Sequence, residues 1–168
     1  MATATYEAIA TNTVSGSSTT SITFSSIPQT YTDLVLIANA QSTLGSGPYY
    51  VYLAPNSDTT ANKSFTWIRG DGSSASSSRV TGDSYLRAGS LGTSGSNFGT
   101  SISHIMNYTN TSTYKTILSR GGNADANTIA VVGLWRSTSA ISSLLIVADA
   151  LTTFTAGSSF TLYGIKAA

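Results

Sequence analysis

Short runs of alternating apolar and polar residues recur along the chain. Each run predicts a β-strand, because successive side chains of a strand point to opposite faces. One regular run begins at Thr128, and Ile129, Val131, Gly133 and Trp135 share one of its faces. Ten strands are predicted in this way: Ile22–Phe24, Thr32–Ala40, Tyr49–Leu53, Phe65–Arg69, Tyr85–Arg87, Phe98–Tyr108, Tyr114–Arg120, Thr128–Arg136, Ile141–Val147 and Phe160–Lys166.

The spacing of these strands predicts the fold class. Turn signals separate them at short intervals, and no helical pattern of roughly 10–15 residues lies between them. This is typical of an all-β protein, and we expect a single jelly-roll-like antiparallel β-sandwich over residues 1–168. Two Gly/Ser-rich stretches, Gly70–Ser78 and Gly89–Asn97, are predicted to be loops within it. Phe160–Lys166 is apolar on both faces, which favours a place inside a sheet or beneath a neighbouring subunit.

Charge is scarce. The 168 residues include 8 Lys+Arg and 7 Asp+Glu, so charged residues are 9% of the chain, against roughly 25% in an average domain. A protein this close to neutral has no electrostatic signature for nucleic acid or for an anionic membrane, and we expect neither as a partner. The absence of cysteine excludes disulfides and thiolate chemistry.

The first residues also carry information. Met1–Glu7 has neither the basic nor the apolar region of a secretory signal, so we expect synthesis in a cytosol. The longest apolar stretches, Leu34–Ala38 and Leu144–Ala148, are far shorter than the roughly 18 residues of a membrane helix. Chain ends fray unless something holds them, and we expect the N-terminal segment to be clamped within an assembly.

Candidate catalytic residues are few, and the sequence predicts no enzyme. His104 is the single histidine, and its place in an alternating strand indicates a side chain hydrogen-bonded beside the core rather than a general base. The seven acidic residues form no motif and stand mostly in turn contexts, where aspartate bonds its own backbone. A pair of carboxylates across a cleft, as glycoside hydrolysis requires, is not indicated.

No metal or cofactor is predicted. Asn123–Asn127 places an oxygen-bearing side chain at every other residue, as a calcium loop does. However, Thr128 stands where such a loop has glycine, and no glutamate closes it. The tripeptide Arg69-Gly70-Asp71 matches a cell-adhesion signal and is interpreted as a coincidence.

The candidate interface residues are Tyr50, Tyr52, Trp67 and Arg69. Tyr50 and Tyr52 share the second face of the Tyr49–Leu53 strand. Exposed aromatic rings there would stack on a sugar or anchor a protein interface. The other interpretation, that this face belongs to the core, stays open at the level of sequence.

Three stretches give the chain a resemblance to a family of tailed-phage virion proteins. They are ITFSSIPQTYTDL at 22–34, GLWRSTSAI at 133–141 and FTAGSSFTLYGIK at 154–166. The resemblance covers the start and the final third of the chain, whereas residues 45–97 have no counterpart. It implies a small jelly-roll-like sandwich that serves as a structural part of a particle, usually as a trimer, and it carries no catalytic residues.

The expected function is therefore that of a capsid cement or decoration protein of a virion. The expected partners are a major capsid protein and copies of the chain itself in a homotrimer. The alternative is a receptor- or glycan-binding head domain of a tail fibre, with Tyr50, Tyr52 and Trp67 as its stacking platform. A depolymerase is disfavoured because cues for activated nucleophiles and carboxylate pairs are missing.

Overall fold

Two antiparallel sheets of unequal size pack face to face, which confirms the predicted all-β sandwich. The structure is a computed structural model that describes residues 5–16, 19–95, 97–149 and 152–166. No helix capable of crossing a membrane is found in this part of the chain. The strands are β1 (Tyr6–Thr13), β2 (Ser21–Phe24), β3 (Asp33–Ala40), β4 (Tyr50–Pro55), β5 (Lys63–Gly70), β6 (Ala75–Asp83), β7 (Leu86–Ser90), β8 (Gly99–Ile105), β9 (Lys115–Asn123), β10 (Asn127–Trp135), β11 (Leu144–Ala148) and β12 (Ser159–Ile165).

The strand orders define the two layers. The large sheet has eight strands in the order β1-β12-β3-β8-β9-β10-β5-β6, and the small sheet has four in the order β2-β11-β4-β7. These orders establish a sandwich, while the jelly-roll connectivity stays a prediction. Strand β12 lies between β1 and β3, which confirms that the apolar C-terminal strand is an interior one.

The predicted loop Gly89–Asn97 is wrong at its start, since Gly89 and Ser90 belong to β7. Two edge strands of the large sheet also differ from the prediction: β1 was not predicted, and Ala75–Ser78, predicted as loop, belongs to β6. Both strands have mostly exposed side chains, so their residues need no apolar alternation. Backbone hydrogen bonds to β12 and β5 hold them instead. The first four residues of the predicted N-terminal clamp lie outside the described residues.

The core fills the space between the sheets. Leu53 on β4 lies directly opposite Ile146 on β11, which in turn lies opposite Ile22 on β2. Leu53 and Ile146 are fully buried, as are Leu34 and Ile105 on the facing sheet. Each such side chain contributes about 1.5–3 kcal/mol through the apolar surface it removes from water. One cluster of buried residues joins both sheets.

A close approach of Tyr31 to β12 predicts an effect of mutation. The ring of Tyr31 covers Gly164, and a Cβ at Gly164 would overlap the ring carbons. We expect Gly164→Ala to lower the free energy of unfolding by about 1–3 kcal/mol, because the ring must leave its place. Urea denaturation measures this loss. Gly16→Ala is the matched control, since its Cβ meets nothing within 4 Å; equal stability of the two variants would contradict the prediction.

Candidate functional site

The four predicted interface residues lie on β4 and β5, and only some of them are open to solvent. Tyr50 is 8% exposed and belongs to the core cluster. Tyr52 and Trp67 are half-buried and pack against that cluster. Arg69 is half-buried and lies opposite Ile129 on β10. The structure therefore does not present Tyr50 as an exposed ring.

Arg87 organises this aromatic group. Its guanidinium carbon lies 3.8 Å above the centre of the Tyr50 ring and 5.4 Å from that of Trp67. The Phe65 ring is also 5.4 Å away. Cation–π attraction of this kind contributes about 0.5–2 kcal/mol. The cluster thus already holds a cation from its own chain. No sequence pattern indicated that Arg87 would occupy it.

The largest exposed surface of regular structure is the side of the large sheet that faces away from the core, here called the outer face. One row across it consists of residues in register on neighbouring strands: His104, Leu118, Val132 and Thr66. Leu118 is 43% exposed and Val132 is 57% exposed. Alternation places these side chains opposite the buried Ile117 and Val131.

A second row of the outer face repeats this character. It runs through Ile102, Arg120, Ala130 and Ile68, again in register. Ile68 is 60% exposed. Two adjacent rows that both carry exposed aliphatic side chains form an extended patch rather than scattered single residues, and extended patches of this kind mark interaction surfaces.

Shallow grooves mark the outer face. One of about 470 Å³ lies between β5 and β6, beside Ile68. A second of about 470 Å³ lies beside Ile102 and Arg120. A third of about 360 Å³ lies beside Val132 and Arg79. Side chains of a partner surface would enter such depressions, which suits a broad protein contact.

The charges of the outer face are few and unequal. Arg79, Arg120 and Arg136 are exposed on it. Asp33 is the acidic residue of this face, and its Oδ2 lies 2.9 Å from Nε2 of His104. The arginines therefore outnumber the acids among the described residues of the face, and arginine is a residue that protein interfaces favour.

His104 ties two strands together. Its ring bonds Asp33 of β3, and Oδ1 of the same carboxylate accepts a hydrogen bond from the backbone N–H of Asn107 at 2.6 Å. The contact fixes the loop after β8 against β3. The contact agrees with the interpretation of His104 as a hydrogen-bonded residue, but its side chain lies on the outer face, away from the core, and is 37% exposed.

The Asn123–Asn127 segment is the turn of the β9–β10 hairpin. Oδ1 of Asn123 accepts the backbone N–H of Asp125 at 3.1 Å, and Oδ1 of Asn127 accepts the hydroxyl of Ser90 at 2.6 Å. The Asp125 carboxylate accepts two hydrogen-bond donors of Asn97. In the described residues no group of three or more His, Cys, Asp or Glu side chains comes together.

Asp71 of the Arg-Gly-Asp tripeptide serves its own turn. Its Oδ1 accepts the backbone N–H groups of Ser74 at 2.7 Å and Ser73 at 3.0 Å. These hydrogen bonds hold the pKa of Asp71 well below its usual range. The carboxylate therefore acts as an acceptor that closes the β5–β6 turn.

A buried polar cluster closes one end of the inner face. Lys63 and Lys115 flank Trp135 in register, and all three side chains are buried. Asp58 accepts Nε1–H of Trp135 at 2.7 Å and lies 3.7 Å from Nζ of Lys63. Burial by itself raises the pKa of Asp58, but the hydrogen bonds from Thr60, Trp135 and Asn62 outweigh it and lower the pKa.

One pocket lies at a place where no sequence pattern indicated a site. It has a volume of about 320 Å³ and brings together three separate segments of the chain. Tyr52 was predicted as an interface residue, whereas the two carboxylates and the second tyrosine of this pocket were not. Its lining residues are Tyr52, Asp83, Tyr85, Val147, Ala148 and Asp149.

No protein-family model and no curated protein matches the chain. The functional importance of the outer face and of the pocket therefore depends on their own exposure, shape and chemistry.

The buried cluster predicts a pH dependence of stability. Since the pKa of Asp58 is lower in the folded chain than in the unfolded one, its ionised form stabilises the fold above the unfolded value of about 3.9. This contribution is lost as the pH falls through the folded value. We expect Asp58→Asn to lower the free energy of unfolding at pH 7 by about 1–3 kcal/mol, and to lower it less at pH 3. Parallel stability–pH curves for the two proteins would contradict this.

Proposed function

We propose that the protein is a structural component of a tailed-phage particle, and more specifically a cement protein that binds the capsid through its outer face. The observation that carries the proposal is a set of exposed aliphatic side chains, Leu118, Val132 and Ile68, in two adjacent rows of the large sheet that hold few charged groups. Such a surface loses water on association at little cost in charge desolvation. The resemblance of three stretches to phage virion proteins is the reason for proposing a tailed-phage particle.

The size of the outer face suits a stable contact. Eight strands about 4.8 Å apart, with about seven residues rising about 3.4 Å each, span roughly 900 Å². A standard protein interface buries about 800 Å² on each partner. Contact over most of the face would therefore suffice for a specific complex, and its three arginines would pair with carboxylates of the shell.

The proposed action is mechanical. A rigid sandwich that binds the assembled shell, and not its separated subunits, stabilises the shell by mass action. The proposed partners are a major capsid protein and further copies of this chain in a homotrimer, and the proposed location is the virion. The proposal assigns the protein no catalysis, cofactor, nucleic acid or membrane.

Self-association has support from the sheet edges. Strands β1 and β6 end the large sheet, and β6 runs for nine residues. An edge strand presents backbone donors and acceptors to which another chain adds a strand. Such pairing between copies leaves the outer face free for the shell.

The alternative of a fibre head that binds glycans on a platform of Tyr50, Tyr52 and Trp67 has less support. Its platform required open rings at Tyr50, Tyr52 and Trp67. The guanidinium of Arg87 covers Tyr50 and lies beside Trp67. Of the three rings, Tyr52 alone lines a pocket among those described above.

Charged substitutions on the outer face test the proposal. Particles that lack the protein are incubated with the purified chain, and binding is measured by co-sedimentation. We expect the double variant Leu118→Lys, Val132→Lys to bind at least tenfold more weakly, because two unpaired charges would be buried in the contact. Both positions are exposed, so the variant is expected to fold. The two lysines would face each other on neighbouring strands, so its melting temperature is measured beside its binding.

The matched control is Thr23→Lys, which adds a lysine to an exposed position of the small sheet. It is expected to bind as the unmodified protein does. If the outer-face variant binds particles with unchanged affinity, the large sheet is not the docking surface and the proposal is wrong.

A further inference from the structure

The pocket beside Tyr52 lies on the opposite side of the molecule from the outer face. Tyr52 and Val147 lie opposite each other on β4 and β11. Their neighbours Leu53 and Ile146 are fully buried against the large sheet, so alternation turns Tyr52 and Val147 away from it. A protein bound to a shell through its large sheet would present this pocket to the surroundings.

The pocket has one apolar side built from rings and aliphatic groups. The rings of Tyr52 and Tyr85 lie 6.3 Å apart with their planes tilted by 57°. Val147 and Ala148 complete the apolar lining. Aromatic rings combine a large apolar surface with a polar hydroxyl, and such a combination suits a ligand with an apolar face and polar edges.

The polar side of the pocket consists chiefly of hydrogen-bond acceptors. Asp83 and Asp149 both line it. An ionised carboxylate has two oxygens and about four lone-pair sites, so it accepts two neighbouring hydroxyl groups at once. Oδ1 of Asp83 already accepts the backbone N–H of Tyr85 at 3.1 Å, which orients that carboxylate relative to the ring.

Nearby cations offset part of the negative charge. The carboxylates of Asp149 and Asp83 both act on Tyr52, where burial is the main cause of a raised pKa and Arg87 opposes the rise. Lys63 also interacts electrostatically with Asp83. The pocket therefore combines strong acceptors with a partly neutralised field, which favours a neutral polyol over a cation.

We propose that this pocket binds a neutral saccharide, with one sugar ring against Tyr52 and Tyr85 and its hydroxyl groups donating to Asp83 and Asp149. Its volume of about 320 Å³ is at the lower end of the range for small-molecule sites, which suits one or two sugar rings. The inference is independent of the proposed docking function, since none of the pocket residues belongs to the two exposed rows of the outer face.

Saturation-transfer NMR tests the proposal with the full chain. The probes are the methyl glycosides of glucose, galactose, mannose and N-acetylglucosamine, each at millimolar concentration. At least one is expected to receive saturation, and titration gives its Kd. Asp149→Asn is expected to weaken that Kd at least tenfold, because a charged acceptor of the sugar hydroxyls becomes a neutral amide.

Asp71→Asn and Tyr114→Phe are the matched controls, since Asp71 lies in an exposed turn away from the pocket and Tyr114 is 53% exposed on the loop before β9. Both are expected to leave the Kd unchanged. The proposal is overturned if none of the four glycosides receives saturation, or if Asp149→Asn binds as tightly as the controls. It is also overturned if tetramethylammonium binds in their place, since the pocket would then select cations. None of these results bears on the particle-binding assay.

Discussion

The structure depends on the burial of one face of an eight-stranded sheet by a sheet of only four strands. Alternation sends every second side chain of the large sheet toward the small one, and there Leu34, Ile105 and Ile117 meet Leu53 and Ile146. The small sheet cannot also cover the other side. Each strand that adds inward residues to the core therefore also adds about as many outward residues. These outward residues form the outer face.

The difference in width also explains the aromatic cluster. Strand β7 ends the small sheet and contacts β8, β9 and β10 more extensively than β5. Phe65 and Trp67 are inward residues of β5, and they lie near the edge of the small sheet, which does not cover them fully. Arg87 of β7 fills the gap with its guanidinium and aliphatic stem, as long cationic side chains do on apolar surfaces. Trp67, a predicted interface residue, is consequently part of the margin of the core.

The two exposed sites differ in chemistry. The outer face is broad, aliphatic and sparsely cationic, which suits a flat protein partner. The pocket is small, aromatic and rich in acceptors, which suits a small polar ligand. The outer face belongs to the large sheet, whereas most of the pocket belongs to the small one and Asp83 alone comes from β6 of the large sheet. With charged residues at only 9% of the chain, the outer face carries few charges.

The interior strands could be predicted from the sequence because a strand with one buried face has apolar residues at every second position. Ile129, Val131 and Trp135 were assigned to one face, and all three are buried in the structure. Strands β1 and β6 could not be predicted because backbone hydrogen bonds, rather than buried side chains, hold an edge strand. Val80 is the one half-buried aliphatic side chain in β6.

The pocket could not be predicted from the sequence for another reason. Its residues come from three segments of the chain that lie far apart in the sequence, so no local pattern brings them together. The contacts of Arg87 with the aromatic rings likewise depend on the width of the small sheet, and no local sequence pattern predicts that width. The fold class was therefore accessible from the sequence, whereas the sites built across strands were not.

Cryo-electron microscopy of the proposed phage particle tests the central claim most directly. The account predicts density for the sandwich on the head lattice, in groups of three, with the eight-stranded sheet against the shell and the four-stranded sheet outward. Density confined to the tail, or a sandwich seated on the shell through its four-stranded sheet, would contradict it.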